Sequence, residues 1–216
     1  MLKKITNQEG FGKQLAKGTK RLSEEIKGSE AFAMQVKGME LGGYECRGLN
    51  GQALQFAIDN RGGCHHAYGL PARQEIFDGT RLDIEGKGEY VRNIAAKQMV
   101  CDSVIVCAFT RPVFSEEIFA HTLSSLFGES WSIDDLKEAS IRIMCQERLF
   151  NMREGITRKD DTLPERLLNE PKPDGPTQGA TAPLEKLKDD FYRSMGYDLT
   201  TGNPPDSLLS RLGIEK

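Results

Sequence analysis

One apolar stretch of the chain contains unexpected polar and thiol side chains: Cys101-Asp102-Ser103-Val104-Ile105-Val106-Cys107-Ala108-Phe109. It places one aspartate and two cysteines in a largely apolar run. A carboxylate inside such a run is costly to bury unless another group pairs with it. We therefore expect the chain to be organised around whatever meets Asp102 and Cys107.

The segments around this stretch carry apolar residues at helical spacing. The pattern predicts a long buried helix over residues 90–109 and amphipathic helices over 11–27 and 49–60. Ser132, followed three residues later by Asp135, resembles a capping box and predicts the start of another helix.

Glycine and proline mark the remaining boundaries. Residues 64–88 are predicted to be irregular, and the proline- and glycine-rich segment 170–183 is predicted to be a surface loop. The fold class is therefore mainly α, in two helical lobes. Residues 1–90 would form a partial first lobe, and residues 91–216 a second lobe that contains the 170–183 loop.

Composition excludes several classes of protein. The 216 residues are 38% hydrophobic and carry a net charge of −3, which allows a buried core and gives no reason to expect nucleic acid binding. No apolar run approaches the ~20 residues that cross a bilayer, and the N-terminus has no apolar signal core. We expect a cytoplasmic protein with no membrane contact.

The five cysteines do not form a recognised metal motif within the chain. Their number is odd and no Cys-x-x-Cys pair occurs, so neither a disulfide framework nor a complete zinc or iron–sulfur site of usual spacing is expected. Most of the five are expected to be small buried hydrophobic side chains.

Asp102 and Cys107 are the first residues that could carry chemistry. A thiolate can ligate soft metals and clusters, and a carboxylate can accept hydrogen bonds from amine-bearing heterocycles. Five residues apart on a helix, the two side chains would point roughly 140° apart, so they could contact two neighbouring parts of an extended assembly. The alternative is a buried cysteine and a paired aspartate of structural importance only.

Two further stretches contain candidate residues. Adjacent His65 and His66 follow a glycine pair, and at most one of them is expected to face a given site as a general acid or base. The alternative is a helix end followed by solvated histidines. Arg47 precedes glycines and a predicted helix, where it could hold an anion such as phosphate or serve as an ordinary loop arginine.

Taken in order, these stretches resemble the C-terminal helical domains of the tungsten-containing aldehyde ferredoxin oxidoreductase family. No single motif is decisive, but the ordered set is specific and covers almost the whole chain. The matching stretches are residues 8–21, Val36–Leu41, Tyr44–Gly51, Asn60–His65, Asp102–Phe109, Phe150–Gly155 and Thr157–Arg166.

The resemblance implies a fold, an activity and a set of cofactors. Members of the family oxidise aldehydes to carboxylic acids and pass electrons to ferredoxin. They use tungsten, or alternatively molybdenum, held by two pterins beside one [4Fe-4S] cluster. The family's Asp-x-x-Gly-Leu-Cys motif matches residues 102–107, which implies pterin contacts by Asp102 and Val106 and a cluster bond to Cys107. The resemblance also implies proton transfer by His65 and a cofactor contact by Arg47.

The chain departs from the family in several places. Ile105-Val106 replaces the motif's Gly-Leu, Cys46 stands where proline is usual, and Ala67 stands where a basic residue is common. The three other cluster cysteines, in a Cys-x-x-Cys-x-x-x-Cys motif, and the β-rich pterin-binding domain that precede this region in the family are not among these residues.

We therefore expect the chain to be inactive alone and to act with an N-terminal pterin-binding region or partner subunit. Ferredoxin and an aldehyde are the further partners, and a homodimer stays open. Two alternatives remain. One is a subunit of a same-family reductase of aromatic acyl-thioesters, and the other is a helical scaffold or interaction module that binds no cofactor.

Overall fold

A computed structural model describes residues 1–110 and 113–215 and confirms the mainly α prediction. Its helices are α1 (Leu2–Thr6), α2 (Phe11–Leu15), α3 (Thr19–Glu25), α4 (Asn50–Ile58), α5 (Ala72–Asp78), α6 (Lys87–Ser103), α7 (Glu116–Phe127), α8 (Ile133–Arg153), α9 (Glu165–Asn169), α10 (Leu184–Met195) and α11 (Asp206–Arg211). Short 3₁₀ turns occur at Ser29–Phe32, Cys46–Gly48, Ala108–Thr110 and Arg158–Asp160.

Strand structure in the described residues is limited to one small hairpin. Its strands are β1 (Gln35–Val36) and β2 (Met39–Glu40). They pair antiparallel, with Gln35 opposite Glu40 and Val36 opposite Met39.

Helices α4, α6, α8 and α10 form the centre of the molecule. Their apolar faces meet in one buried cluster that includes Leu54, Val91, Met144 and Leu187. Gly88 lets α6 and α10 approach closely, because a Cβ there would lie 2.3 Å from the backbone of Phe191. This packing holds α6 in place, so the loops that adjoin its two ends start from defined positions.

Two smaller apolar clusters flank this centre. One joins the β-hairpin to α4 and α9 through Val36, Phe56 and Leu167. The other joins the end of α6 to α7 and α8 and contains the buried Cys101. The central cluster draws residues from both sides of the boundary expected near residue 90, and the division into two lobes stays a prediction.

A buried ionic cluster ties the hairpin to the long helices. The Asp161 carboxylate, 1% exposed, lies 2.8 Å from Lys37 Nζ and 2.9 Å from an Arg148 nitrogen, and it accepts a 2.5 Å hydrogen bond from the Tyr192 hydroxyl. Lys37 also donates to the carbonyl oxygens of Ala57 and Asp59 at the end of α4. A buried charge that is paired in this way holds its neighbours in one arrangement.

Two helix predictions are wrong in their bounds, and one segment predicted to be irregular contains a helix. The helix predicted over 11–27 is divided, because Gly18 adopts a φ of 81° between α2 and α3. The helix predicted over 90–109 begins at Lys87 and ends at Ser103, six residues early. The segment 64–88, predicted to be irregular, contains α5.

Other helix predictions are confirmed. Ser132 and Asp135 form the predicted capping box at the start of α8, since the Ser132 Oγ accepts from Asp135 N and the Asp135 carboxylate accepts from Ser132 N. The helix predicted over 49–60 is α4. Across the part of the chain that the structure describes, each helix is too short or too polar to cross a bilayer.

Candidate functional site

The end of α6 has the hydrogen bonds of a Schellman motif. Val106 N donates to the Cys101 carbonyl at 2.9 Å, and Ile105 N donates to the Asp102 carbonyl at 3.2 Å. Ile105 therefore occupies the left-handed position, with a φ of 59°, that glycine usually fills. The turn directs the chain away from the helix axis, so Cys107 does not continue the face of α6.

This turn places Asp102 and Cys107 at the surface. Asp102 lies in the last turn of α6 and accepts a 2.6 Å hydrogen bond from Gln98 Nε2. Cys107 is exposed, whereas Cys46, Cys101 and Cys145 are buried and Cys64 is partly buried. A carboxylate at a helix C-terminus is opposed by the helix dipole, so the position of Asp102 suits a ligand with hydrogen-bond donors.

The loop over residues 60–67, which carries His65, is held by two side chains of α4 and its end. The Asp59 carboxylate accepts from Arg61 N at 2.8 Å and from Tyr68 N at 3.1 Å, one at each end of the loop. Gln55 Nε2 donates both to Asp59 at 2.8 Å and to the Cys64 carbonyl in the middle of the loop. Asp59 and Gln55 thus fix the loop at three points.

Burial raises the pKa of Asp59, the residue that holds both ends of this loop. Asp59 is fully buried, and this raises the pKa of its carboxyl to about 7. The donated amides and Lys37 lower the pKa but do not offset the burial, and Glu147 raises it further. The loop's anchor therefore changes charge close to neutral pH.

Ring contacts connect the 60–67 loop to the segment after α6. The His65 ring centroid lies 5.5 Å from that of Tyr44 and 4.3 Å from that of His66. The His66 ring lies 6.5 Å from that of Phe109, edge on. Partial burial and the neighbouring His66 lower the pKa of His65, so its imidazole is neutral at neutral pH.

Asp102 also adjoins this loop, across an open cleft of about 760 Å³. The cleft is lined by Asn60, Arg61 and Ala67 of the loop and by Asp102 together with residues of α8. Both ends of the segment 102–109 therefore lie beside the 60–67 loop. We call the surface formed by residues 60–67 and 102–109 the open face.

Arg47 lies away from this cleft and already has partners. Its guanidinium pairs with the Glu45 carboxylate, with 3.0 Å and 2.6 Å bonds, and donates to the Glu170 carbonyl at 3.0 Å. The N-terminal amides of α4 are likewise occupied, because Gly51 N and Gln52 N donate to the Glu75 carboxylate. A cofactor contact by Arg47 stays a prediction.

No group of three or more His, Cys, Asp or Glu side chains within residues 1–110 and 113–215 is arranged to hold a metal ion. The residues present nevertheless suit an external cofactor, since the open face presents an exposed thiol, a carboxylate and a neutral imidazole. Sequence reasoning missed Asp59, Gln55 and Phe109. The acid directly before the glycine-containing loop was the available signal for Asp59.

The sequence of this chain is similar to those of known oxidoreductases. The family model described as aldehyde ferredoxin oxidoreductase, domains 2 and 3, matches residues 1–214. A tungsten-containing aldehyde ferredoxin oxidoreductase of Pyrococcus horikoshii is 35% identical over 218 residues, which is 99% of this chain and 36% of the relative. The WOR-like subunit of an aliphatic sulfonate oxidoreductase of Pyrococcus furiosus is 32% identical, over 34% of its length.

A solved structure has the same fold. The active-site complex BamBC of benzoyl-coenzyme A reductase, bound to 1,5-dienoyl-CoA, superposes with a TM-score of 0.73 at 20% identity, over 99% of this chain and 38% of that one. The chain thus spans little more than a third of the length of each of these proteins.

Proposed function

This chain belongs to the aldehyde ferredoxin oxidoreductase family and corresponds to the C-terminal part of its longer members. We propose that it completes the cofactor site of an aldehyde-oxidising enzyme. In this proposal an N-terminal region, on a separate or a continuous polypeptide, supplies the pterin-binding domain and the other cluster cysteines. Ferredoxin accepts the electrons, and the assembled enzyme acts in the cytoplasm.

One observation carries this proposal. The segment 102–109 and the 60–67 loop, far apart in sequence, lie side by side on the open face through the shared cleft and the contact between His66 and Phe109. The two segments that carry Asp102, Cys107 and His65 are therefore neighbours in space, and this proximity supports the proposal, whereas Arg47 does not line the shared cleft. Apolar side chains are exposed around them, with Ile105 at 91% and Phe109 at 85% exposure. Exposed apolar surface of this kind is typical of an interface that another region covers.

The cofactors would bind to residues that suit them. Cys107 would supply one thiolate to the [4Fe-4S] cluster, and Asp102 would accept hydrogen bonds from the amines of a pterin, with Val106 at the adjoining turn. When bound, the tungsten centre supplies the two-electron oxidation and the cluster supplies the route to ferredoxin.

His65 would act on protons in this reaction. Conversion of an aldehyde to a carboxylate adds the oxygen of one water molecule and releases protons together with two electrons. A neutral imidazole beside the reacting carbon can accept one of these protons. Partial burial lowers the pKa of His65 and so favours its neutral form, and the ring lies close to Tyr44 and to Gly42, where a Cβ would lie 3.0 Å from His65 Nδ1.

The test is to co-express the chain with the region that precedes the matched part in the Pyrococcus horikoshii relative. Aldehyde-dependent viologen reduction, tungsten and iron are measured on the purified complex. His65→Gln is expected to lower kcat at least 100-fold with metal content retained. His66→Gln, the matched change one residue away, is expected to stay within a few-fold of wild type. Equal activity of the two variants would contradict the role of His65.

A further inference from the structure

A second cavity, separate from the cleft beside Asp102, lies between α5 and α6. It has a volume of about 630 Å³, within the ~300–1,000 Å³ typical of small-molecule sites. Arg73 and Phe77, one turn apart, contribute from α5, and Ile94 and Lys97 contribute from α6. Phe109, which also belongs to the open face, lines the groove. We call this cavity the α5–α6 groove.

The walls of the groove are apolar and unusually exposed. Phe77 is 75% exposed and Phe109 is 85% exposed, and the apolar lining also includes Leu70 and Ile94. Two exposed aromatic rings in the lining of one cavity favour an apolar, ring-bearing ligand.

The charge of the groove is positive although the whole chain is acidic. Arg73 and Lys97 are its charged lining residues, and no carboxylate lines it. Among the described residues neither cation forms an ion pair. The Arg73 guanidinium lies 5.7 Å from the centroid of the Phe77 ring, and Lys97 is close enough to the exposed Glu117 to help lower the pKa of that carboxyl. Of the two acids on α5, Asp78 accepts a hydrogen bond from Gln74 and Glu75 pairs with Lys87.

From these observations we infer that the α5–α6 groove binds organic anions that have an apolar, ring-bearing body. Phe77, Ile94 and Phe109 would hold the apolar body, and Arg73 and Lys97 would hold the anionic group by charge-assisted hydrogen bonds. The anion has two chemical sources, a free carboxylic acid or the phosphates of an acyl-coenzyme A thioester.

The groove adjoins the open face, which relates binding in the groove to the proposed reaction. Phe109 contacts both the groove and the His66 ring, so a ligand in the groove would lie at the edge of the open face. Acids are the products of aldehyde oxidation, and acyl groups are substrates of thioester reduction. This relation to the reaction rests on the proposed function, whereas the binding itself involves none of Cys107, Asp102 and His65.

The experiment measures binding to the cofactor-free full chain by isothermal titration calorimetry. The probes are 4-phenylbutyrate, its coenzyme A thioester and the neutral 4-phenylbutanamide. At least one anionic probe is expected to bind tenfold or more tightly than the amide. The tighter of the two anionic probes identifies the source of the anion, and its preference for acid or thioester is independent of whether the assembled enzyme oxidises aldehydes.

Variants assign the binding to the groove. The double variant Arg73→Gln, Lys97→Gln is expected to bind the anionic probes no more tightly than the amide. Arg73→Gln alone is expected to lower the affinity for the anionic probes at least threefold. Lys137→Gln, which removes an exposed cation on α8, is the control and should change nothing. Equal binding of acid, thioester and amide, or an equal loss with Lys137→Gln, would overturn the inference.

Discussion

At the scale of single residues, Ile105 has a conformation that its side chain disfavours. A β-branched residue with a φ of 59° places its Cβ too close to the backbone, which costs about 1–2 kcal/mol. The side chain is 91% exposed, so no packing within the chain offsets this cost. The Schellman bonds and the packing of Val106 hold the residue there.

Replacing Ile105 by glycine should therefore stabilise the chain by about 1 kcal/mol, since the relief of strain exceeds the added freedom of the unfolded chain. Urea unfolding monitored by circular dichroism measures the change. Ile105→Asn, which tolerates the left-handed region better than isoleucine, should fall between glycine and wild type. A glycine variant less stable than wild type would show that Ile105 is not strained.

Individual side chains also show what a sequence can and cannot reveal. The partner of Arg47 within the same motif, Glu45, is two residues away and could have been anticipated. The Glu170 carbonyl, 123 positions along the chain, could not. Cys101 and Cys107 have the same chemistry in the sequence, and only the turn at Ile105 makes one buried and the other exposed.

At the scale of elements, the 60–67 loop depends on the protonation of Asp59. Its pKa is about 7 in the folded chain and about 3.9 in an unfolded chain, so folding favours the protonated form. The resulting stability is present below about pH 4 and is lost as the pH rises through about 7. Lys37, Glu147, Tyr68 and, behind Lys37, Arg148 are the other ionisable groups that face this carboxyl.

The variant Asp59→Asn removes this dependence on pH. Its unfolding free energy minus that of wild type should rise between pH 5 and pH 8, because only wild type must bury an ionised carboxyl at the higher pH. Urea titrations at several pH values measure the difference. Hydrogen exchange at the loop amides should become faster with rising pH in wild type beyond the intrinsic rate.

Asp160→Asn is the matched control for this prediction. Partial burial raises the pKa of Asp160, but the hydrogen bonds donated by Thr157 lower this pKa below its ordinary value. The stabilising effect of the ionised Asp160 carboxylate is therefore lost only in acid. The unfolding free energy of Asp160→Asn minus that of wild type should be constant from pH 5 to pH 8. A constant difference for Asp59→Asn as well would contradict the titration of Asp59 near neutral pH.

Helix bounds followed from the sequence where local hydrogen bonds determine them. The capping box at Ser132 is such a case, because both partners lie within one turn. The end of α6 is the opposite case, since an isoleucine gives no signal for the left-handed position that it adopts. The division at Gly18 shows that apolar spacing alone cannot distinguish one amphipathic helix from two short ones.

At the scale of the whole molecule, the open face brings together residues that the sequence separates by about forty positions. Their chemistry could be read from the sequence, but their proximity depends on how α4, α6 and α8 pack. The chain spans 36% of the length of its Pyrococcus horikoshii relative, and under the proposed function the open face is the surface that the pterin-binding region would cover.

The most direct test of this account is the iron content of the complex with the preceding region, measured for Cys107→Ala and Cys64→Ala. Cys64 is the matched control, because it is partly exposed and lies in the neighbouring loop. We predict that Cys64→Ala retains the iron content of wild type and that Cys107→Ala loses about a quarter of it or more, since the cluster then lacks one of its four thiolates. Unchanged iron content in Cys107→Ala would contradict the central claim that this chain completes the cluster.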